Sequence, residues 1–368
     1  MKRILILANS ASGLYDFRNE LILRLMQEDF EVHISLPDEK NVPELEKEGC
    51  HIHHTTLDRR GMNPVRDFKL LGAYDKMIRK IRPAVVLSYT IKPNIYGGVC
   101  CRWHHIPYIA SITGLGSVFE HGGSVQKLVV FLYRLALKGA SCIFFQNIKN
   151  QQIFAQFGIF GKQSRLVQGS GVNLDRHCYE AYPDKDSPIK FLYVGRIMRE
   201  KGMDELFYAA KKIKKEHPNV IFELAGYHEE DYEELATQYE KEGIIHLVGY
   251  QKVMHPFYKE AWAVVMPSYH EGMSNVVLEA AATGRPVLAS DISGCREGVE
   301  EAVTGFVFLP RDKDSLFATI QKFLALSYEK KAQMGHKARE KMEQEFDRQQ
   351  VVNSYMDEIR AALTKGRR

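Results

Sequence analysis

Short apolar runs recur along the chain at 3–8, 31–36, 84–89, 106–112 and 141–146. Between them, apolar positions return every three or four residues over about 16–28, 64–81, 94–104, 124–139 and 147–157. The continuous runs predict buried β-strands and the spaced pattern predicts amphipathic helices. The second half repeats the alternation, with strands predicted at 189–195, 219–225, 244–248, 262–267 and 286–289. Near-continuous apolar strands belong to parallel sheets covered on both faces. Two such blocks predict an α/β chain of two doubly wound, Rossmann-like domains. The segment 170–188, rich in Gly, Asp, Pro and Ser, is the expected boundary, and 347–363 reads as a last helix.

Composition changes this picture little. At 368 residues the chain is long for one core and comfortable for two. Hydrophobic residues make up 45% and charged residues 26%, an ordinary globular balance. No stretch approaches the ~18 apolar residues of a membrane-spanning helix. The basic start Met1-Lys2-Arg3 and the run Ile4–Ala8 are too short for a secretion signal and read as a buried first strand. Charge is more telling. Residues 1–185 hold 24 Lys+Arg against 17 Asp+Glu, a net of +7, and the remainder carries −3 of the total +4. A basic first half suits an anionic membrane surface or a polyanionic partner, or is simply a solvated surface; no nucleic-acid partner is expected. The cysteines, Cys50, Cys100, Cys101, Cys142, Cys178 and Cys295, form no C-x-x-C pair and read as reduced thiols.

Candidate chemistry sits where predicted strands end, the edge at which open α/β sheets bind ligands. The densest segment is Glu271-Gly272-Met273-Ser274-Asn275-Val276-Val277-Leu278-Glu279, after the apolar run Ala263–Pro267. On one continuous helix the two glutamates would stand about 12 Å apart along the axis and about 80° out of line. A loop glutamate followed by a helical one suits a shared site better. Between them lies a helix N-terminus, whose unpaired amides favour anions. The segment therefore suits a ligand with hydroxyls and phosphates. Glu271 would face sugar hydroxyls, the amides of Gly272, Met273, Ser274 and Asn275 a phosphate, and Glu279 a ribose diol. The alternative is a helix-end charge beside a surface acid.

Three further loops stand at strand ends. Gly195-Arg196-Ile197-Met198-Arg199-Glu200-Lys201-Gly202 carries two cations able to face a diphosphate, or merely a surface decorated with charge. Asn9-Ser10-Ala11-Ser12-Gly13 ends in a glycine that permits close approach of the backbone. Thr113-Gly114-Leu115-Gly116-Ser117-Val118-Phe119 nearly matches G-x-G-x-x-G, but Phe119 replaces the third glycine. That disfavours a nicotinamide site and suits a glycine-lined acceptor loop. Metal binding is not expected: Asp184-Lys185-Asp186 and Asp312-Lys313-Asp314 read as a turn and a helix cap, and His51, His53 and His54 as surface histidines.

Together these loops resemble the retaining glycosyltransferases of family 4, which have the GT-B fold. The resemblance rests on Gly195-Arg196 with Lys201-Gly202, Pro267-Ser268 before Glu271, and the two glutamates. Gly284-Arg285-Pro286-Val287, Ala289-Ser290-Asp291, Gly294 with Glu297, and Thr304-Gly305-Phe306 continue it. It spans nearly the whole chain and is most specific in the second half. It implies an acceptor-binding domain of residues 1–178 with the C-terminal helix, 347–368, packed back on it, and a donor-binding domain of 179–346. It implies that Arg196 and Lys201 neutralise the donor diphosphate and that Glu271 holds the donor sugar, the three forming the catalytic set. Glu279 would bind the ribose, the segment at Gln251 would meet the base, and Gly13 would approach the donor. Tyr15-Asp16-Phe17-Arg18 and Gly114-Leu115-Gly116-Ser117 resemble the bacterial enzymes that extend polyprenyl-diphosphate-linked sugars. Asp16, Arg18, Thr113, Gly114 and Gly116 are the acceptor residues this implies. Many family members have a histidine where Thr113 stands, so no histidine role carries over.

The resemblance thus implies a metal-independent hexosyltransferase without a cofactor, its UDP-sugar being a co-substrate. It would move a hexose or N-acetylhexosamine, with retention, to a polyprenyl-diphosphate-linked saccharide in surface-polysaccharide assembly. It would work in the cytoplasm, peripheral to the inner face of the membrane. The apolar run 124–138, with basic residues at intervals and Arg59, Arg60 and Arg66 nearby in sequence, would either lie on that surface or pack against the first sheet. A hydrolysing UDP-sugar 2-epimerase would share the layout, and a non-catalytic sugar-nucleotide-binding protein would need none of the charged set.

Overall fold

The computed structural model describes all residues except 38–39, 59–62, 116–118, 120–121, 230–231 and 366–368. Arg59, Arg60 and Gly116 therefore lie outside the described residues. The chain divides into two compact units, Met1–Ser170 with Gln349–Arg368, and Gly171–Arg348. The division falls at 170/171, ahead of the expected 178/179.

In the first unit β1 (Lys2–Leu7), α1 (Ala11–Gln27), β2 (Phe30–Leu36), α2 (Val42–Lys47), β3 (His51–His54), α3 (Pro64–Ile81) and β4 (Val85–Tyr89) come first. They are followed by α4 (Gly98–Trp103), β5 (Tyr108–Ile112), α5 (Gly123–Leu137), β6 (Cys142–Phe145), α6 (Ile148–Gln156) and β7 (Ser164–Leu166). All strands pair in parallel, in the order β3-β2-β1-β4-β5-β6-β7. The sheet is buried between two apolar layers, one containing Leu14, Leu21 and Ile22 of α1, the other Tyr74 of α3 and Tyr133 of α5. Helix starts follow local chemistry: Ser10 Oγ accepts from Gly13 N at 3.2 Å, and Asn63 Oδ1 from Val65 N and Arg66 N at 3.0 and 3.3 Å.

The second unit holds β8 (Lys190–Val194), α7 (Met203–Glu216), β9 (Ile221–Ala225), α8 (Glu233–Lys241), β10 (His246–Gly249), α9 (His255–Glu260) and β11 (Ala263–Met266). Then come α10 (Asn275–Ala282), β12 (Val287–Ser290), β13 (Gly305–Phe308), α11 (Lys313–Leu324) and α12 (Tyr328–Glu345). Its six strands are also parallel, in the order β10-β9-β8-β11-β12-β13. Both halves are thus doubly wound, as the periodicity predicts. Strand order reverses beside β1 and beside β8, so the loops after β8 and β11 flank a topological switch point, where such sheets bind ligands.

The last helix, α13 (Arg348–Lys365), joins the core of the first unit through Val351, Val352, Tyr355, Met356 and Ile359. Tyr355 stacks on Phe144 with centroids 4.1 Å apart, and its hydroxyl lies 2.8 Å from Ser111 Oγ. The histidines of β3 are not all at the surface. His33 on β2 is buried, with His51 and His53 stacked on it at 4.8 and 5.2 Å. Its Nδ1 lies 3.0 Å from His53 Nε2 and its Nε2 2.9 Å from Glu31 Oε1. Burial, ahead of any charge, lowers the pKa of both His33 and His53.

Candidate functional site

Glycines shape the two loops that flank the switch point. Gly202 has φ +74°, and a Cβ there would stand 2.1 Å from Pro267 O. Only glycine lets the loop bearing Lys201 lie this close to the chain leaving β11. Gly226, after β9, permits an equally close approach, its missing Cβ falling 1.8 Å from Gly195 O. Gly294, at φ +94°, supports the Glu271 loop, since a Cβ would meet Glu271 O and Gly272 O at 2.7 and 2.8 Å. Glu297 fixes that glycine: its Oε2 accepts from Gly294 N at 2.6 Å and its Oε1 from Ser293 Oγ at 2.8 Å.

On this scaffold Lys201 Nζ donates to Glu271 Oε1 at 2.5 Å, both side chains less than one-fifth exposed. Two residues seventy positions apart in sequence are thereby brought into one ion pair. Arg196 Nη1 donates to Glu229 Oε2 at 2.8 Å, and its carbonyl accepts from the Tyr193 hydroxyl at 2.7 Å. Each cation of the β8 loop is held by a carboxylate, so an incoming diphosphate would share or displace those carboxylates. Beside them α10 begins at its N-cap Ser274, whose Oγ accepts from Val277 N at 3.4 Å. Ser274 N donates to Gly294 O at 2.7 Å, fixing the direction in which the helix starts. Met273 and Ser274 are buried, and Asn275 Oδ1 is buried without a hydrogen-bond partner. Gln251, after β10, turns its amide back onto Val248 O at 2.6 Å.

Glu271 and Glu279 do not pair with each other. Glu279, inside α10, accepts from the Tyr258 hydroxyl at 2.9 Å, and His177 Nε2 lies 3.8 Å from its other oxygen. Burial pushes the Tyr258 phenol far up, with the Glu279 charge adding to it, so Tyr258 remains a donor. Burial drives His177 down to about 3, which keeps the ring neutral near pH 7. Arg285, read only as a member of a motif, is fully buried. It donates to the carbonyls of Tyr258, Lys259, Glu180, Ala181 and Gly284 at 2.7–3.1 Å. It thus ties residues 180–181 to α9 and carries structure rather than substrate. Burial lowers its pKa to about 10, still charged at neutral pH.

Sequence reasoning missed Tyr258, His177 and Glu229. The first two are single polar residues, one in α9 and one in the boundary segment, visible only through their approach to Glu279. Glu229 follows β9, and the β8–β9 pairing is what brings it to Arg196.

The acceptor residues fall in the first unit. Arg18 differs from its expected role: it is 6% exposed, with its guanidinium 5.3 Å from the Tyr89 ring centroid and 5.6 Å from that of Tyr355. With its amide oriented to suit both neighbours, Gln146 accepts from Arg18 Nη2 and donates to Thr113 O, each at 3.2 Å. A guanidinium so enclosed packs α13 against the sheet and is poorly placed to meet a diphosphate. Asp16 lies on α1, Thr113 is half-buried at the end of β5, and Gly114 has open space where a Cβ would stand. Gly13 lies in the first turn of α1, its amide taken by Ser10. The Asp-x-Asp segments behave as a turn and a cap. Asp184 Oδ1 accepts from Asp186 N, and Asp312 Oδ1 from Asp314 N and Ser315 N.

Comparison with known proteins agrees with the fold. The family model for glycosyl transferases group 1 matches residues 180–341, and that for glycosyl transferase 4-like proteins matches residues 3–147. The chain belongs to the group 1 glycosyltransferases of the GT-B fold. It is 26% identical over 320 residues to the N,N'-diacetylbacillosaminyl-diphospho-undecaprenol alpha-1,3-N-acetylgalactosaminyltransferase of Campylobacter jejuni, covering 82% of this chain and 84% of that one. It is 24% identical over 341 residues to the capsular polysaccharide biosynthesis glycosyltransferase CapM of Staphylococcus aureus, covering 88% of each. Among solved structures, HepE of Anabaena in complex with UDP superposes with a TM-score of 0.79 at 18% identity, over 98% of this chain and 100% of that one.

Proposed function

We propose that this glycosyltransferase moves a hexose or N-acetylhexosamine from a UDP-sugar to a polyprenyl-diphosphate-linked saccharide, with retention and without a metal. The observation that carries the reading is the Lys201–Glu271 ion pair at the β8/β11 switch point, beside the N-terminus of α10. A departing nucleoside diphosphate gains negative charge as the glycosidic bond breaks. Lys201, Arg196 and the first amides of α10 form a set that stabilises such charge without a metal. Glu271 orients Lys201 and offers its second oxygen to a sugar hydroxyl. Glu279, steadied by Tyr258, accepts from the ribose hydroxyls. The new bond forms on the face the leaving group quits, and a donor phosphate oxygen takes the acceptor proton, so no protein nucleophile is needed. The Campylobacter relative supports a lipid-linked acceptor, the Staphylococcus relative a capsular product, and the UDP complex of HepE a uridine donor.

A lipid-linked acceptor calls for a membrane surface, and the exposed face of α5 supports that reading. One face is buried through Val129, Val130, Tyr133, Ala136 and Leu137. The other exposes Leu128, Phe131 and Leu135 at 55%, 61% and 44%, between the exposed cations Lys127, Arg134 and Lys138. Among the described residues no helix is long and apolar enough to cross a membrane. An interfacial helix on the cytoplasmic face fits that pattern. Flotation with anionic liposomes should recover the protein, and Phe131→Ser should reduce recovery; no binding at low salt removes the membrane assignment. Substrate choice is tested with a panel of UDP- and GDP-sugars and a short polyprenyl-diphosphate saccharide, read by mass spectrometry with chelator present. A new α-glycosidic bond from a UDP-sugar is expected. A free epimerised sugar, or activity that chelator abolishes, would contradict the reading.

A further inference from the structure

Cys178, Glu180 and His255 gather in the second unit, apart from the residues proposed to meet the donor. The first two lie ahead of β8, and His255 opens α9. Cys178 Sγ is 3.6 Å from His255 Nε2, and Glu180 Oε1 is 3.1 Å from the same nitrogen. The three donor atoms lie within 4.8 Å of one another, and no other such group of Cys, His and acidic side chains occurs among the described residues. Of the six cysteines, five are buried and Cys178 alone is exposed.

A thiol, imidazole and carboxylate in contact suggest a nucleophilic relay. A relay places the thiol on one ring nitrogen and the carboxylate on the other. Here both face Nε2, while Nδ1 is buried without a hydrogen-bond partner. One nitrogen carries at most one proton and cannot serve both groups as a relay. Thiolate sulfur, carboxylate oxygen and imidazole lone pair converging on one point form the donor set of a cation instead. The spacing fits. Tetrahedral zinc, with bonds of about 2.3 Å to sulfur and about 2.0 Å to nitrogen and oxygen, sets sulfur and nitrogen about 3.5 Å apart and nitrogen and oxygen about 3.3 Å apart.

The scaffold is already in place. Arg285 bonds the carbonyls of Glu180 and Ala181 on one side and those of Tyr258 and Lys259 on the other, so the two ligand-bearing segments are held together. Lys259 Nζ, 3.0 Å from Glu180 Oε2, opposes a second cation, but its side chain is mostly exposed and it engages only the far oxygen.

We propose that Cys178, Glu180 and His255 bind a zinc-class divalent ion, with a fourth position left to water. The mixed sulfur, nitrogen and oxygen set discriminates against magnesium and calcium, which take oxygen ligands. Binding deprotonates the Cys178 thiol. The site needs no sugar or nucleotide, so it stands or falls apart from the transferase reading.

The test uses the full chain after chelator treatment. Cobalt(II) should produce a thiolate-to-metal charge-transfer band, absent in Cys178→Ser and in His255→Gln. Zinc should slow alkylation of Cys178, mapped by mass spectrometry, by about tenfold or more, and magnesium should leave it unchanged. The alkylation readout is made on the unmodified protein and does not depend on the variants folding. Alkylation indifferent to zinc, or a cobalt band that survives in Cys178→Ser, would overturn the assignment.

Discussion

In the first unit the arginine that follows β1, Arg18, is buried between Tyr89 and Tyr355. In the second unit the cations that follow β8, Arg196 and Lys201, are half-buried and held by Glu229 and Glu271. The two sheets share the same strand order around β1 and β8. The difference lies in what surrounds the charge. An enclosed cation over aromatic rings holds elements in place. A cation paired near solvent keeps its charge yet can exchange its partner for a ligand oxygen. A doubly wound sheet fixes where charge can act, and the neighbouring side chains decide whether it acts on packing or on substrate.

That contrast breaks or sharpens at named residues. The largest stability effect is expected at Arg285. Arg285→Leu leaves five carbonyls without this donor, two of them in buried hydrogen bonds, and should cost about 3 kcal/mol or more in urea unfolding. A loss under about 1 kcal/mol would show that the guanidinium is not a structural tie. Arg18→Met should cost about 1–2 kcal/mol while UDP affinity stays unchanged. A large rise in KM for the acceptor at unchanged stability would instead return Arg18 to the acceptor site and erase the contrast.

The effect that vanishes at neutral pH is a pH dependence at His177. Its folded pKa, about 3, lies below the ordinary 6.5, so the unfolded chain binds the proton that the folded chain refuses. At pH above 6.5 both states are neutral and the group contributes no slope. As pH falls from 6.5 toward about 3, stability should decline by up to about 1.4 kcal/mol per unit from this group. His177→Gln should flatten the acid limb of a stability–pH profile by one proton. An unchanged limb would mean that His177 is protonated in the folded protein.

The sequence carried the alternation of elements well, because buried parallel strands such as β4, β5 and β8 are continuous apolar runs. It carried β3, β7 and β13 poorly. β3 and β7 are edge strands whose residues are largely not buried, so no apolar run marks them, and β13 is an apolar run of only four residues. The loops of the candidate site were legible because strand ends can be read locally. Their adjacency was not, since nothing in sequence says that β8 lies beside β11. For the same reason the Lys201–Glu271 pair and the contacts of Tyr258 and His177 with Glu279 emerge only in three dimensions. Arg18 shows the converse. An arginine near the start of the predicted helix 16–28 looks exposed until α13, more than three hundred residues later, covers it within α1.

The most direct measurement is the single-turnover rate of Lys201→Ala with a UDP-sugar donor, set beside its UDP affinity and its unfolding midpoint. If Lys201 meets the charge of the departing nucleoside diphosphate, the rate should fall by about 100-fold or more, with stability changed by less than about 1 kcal/mol. A rate within about threefold of the unmodified protein would contradict the assignment of the β8 and β11 loops as the site of chemistry.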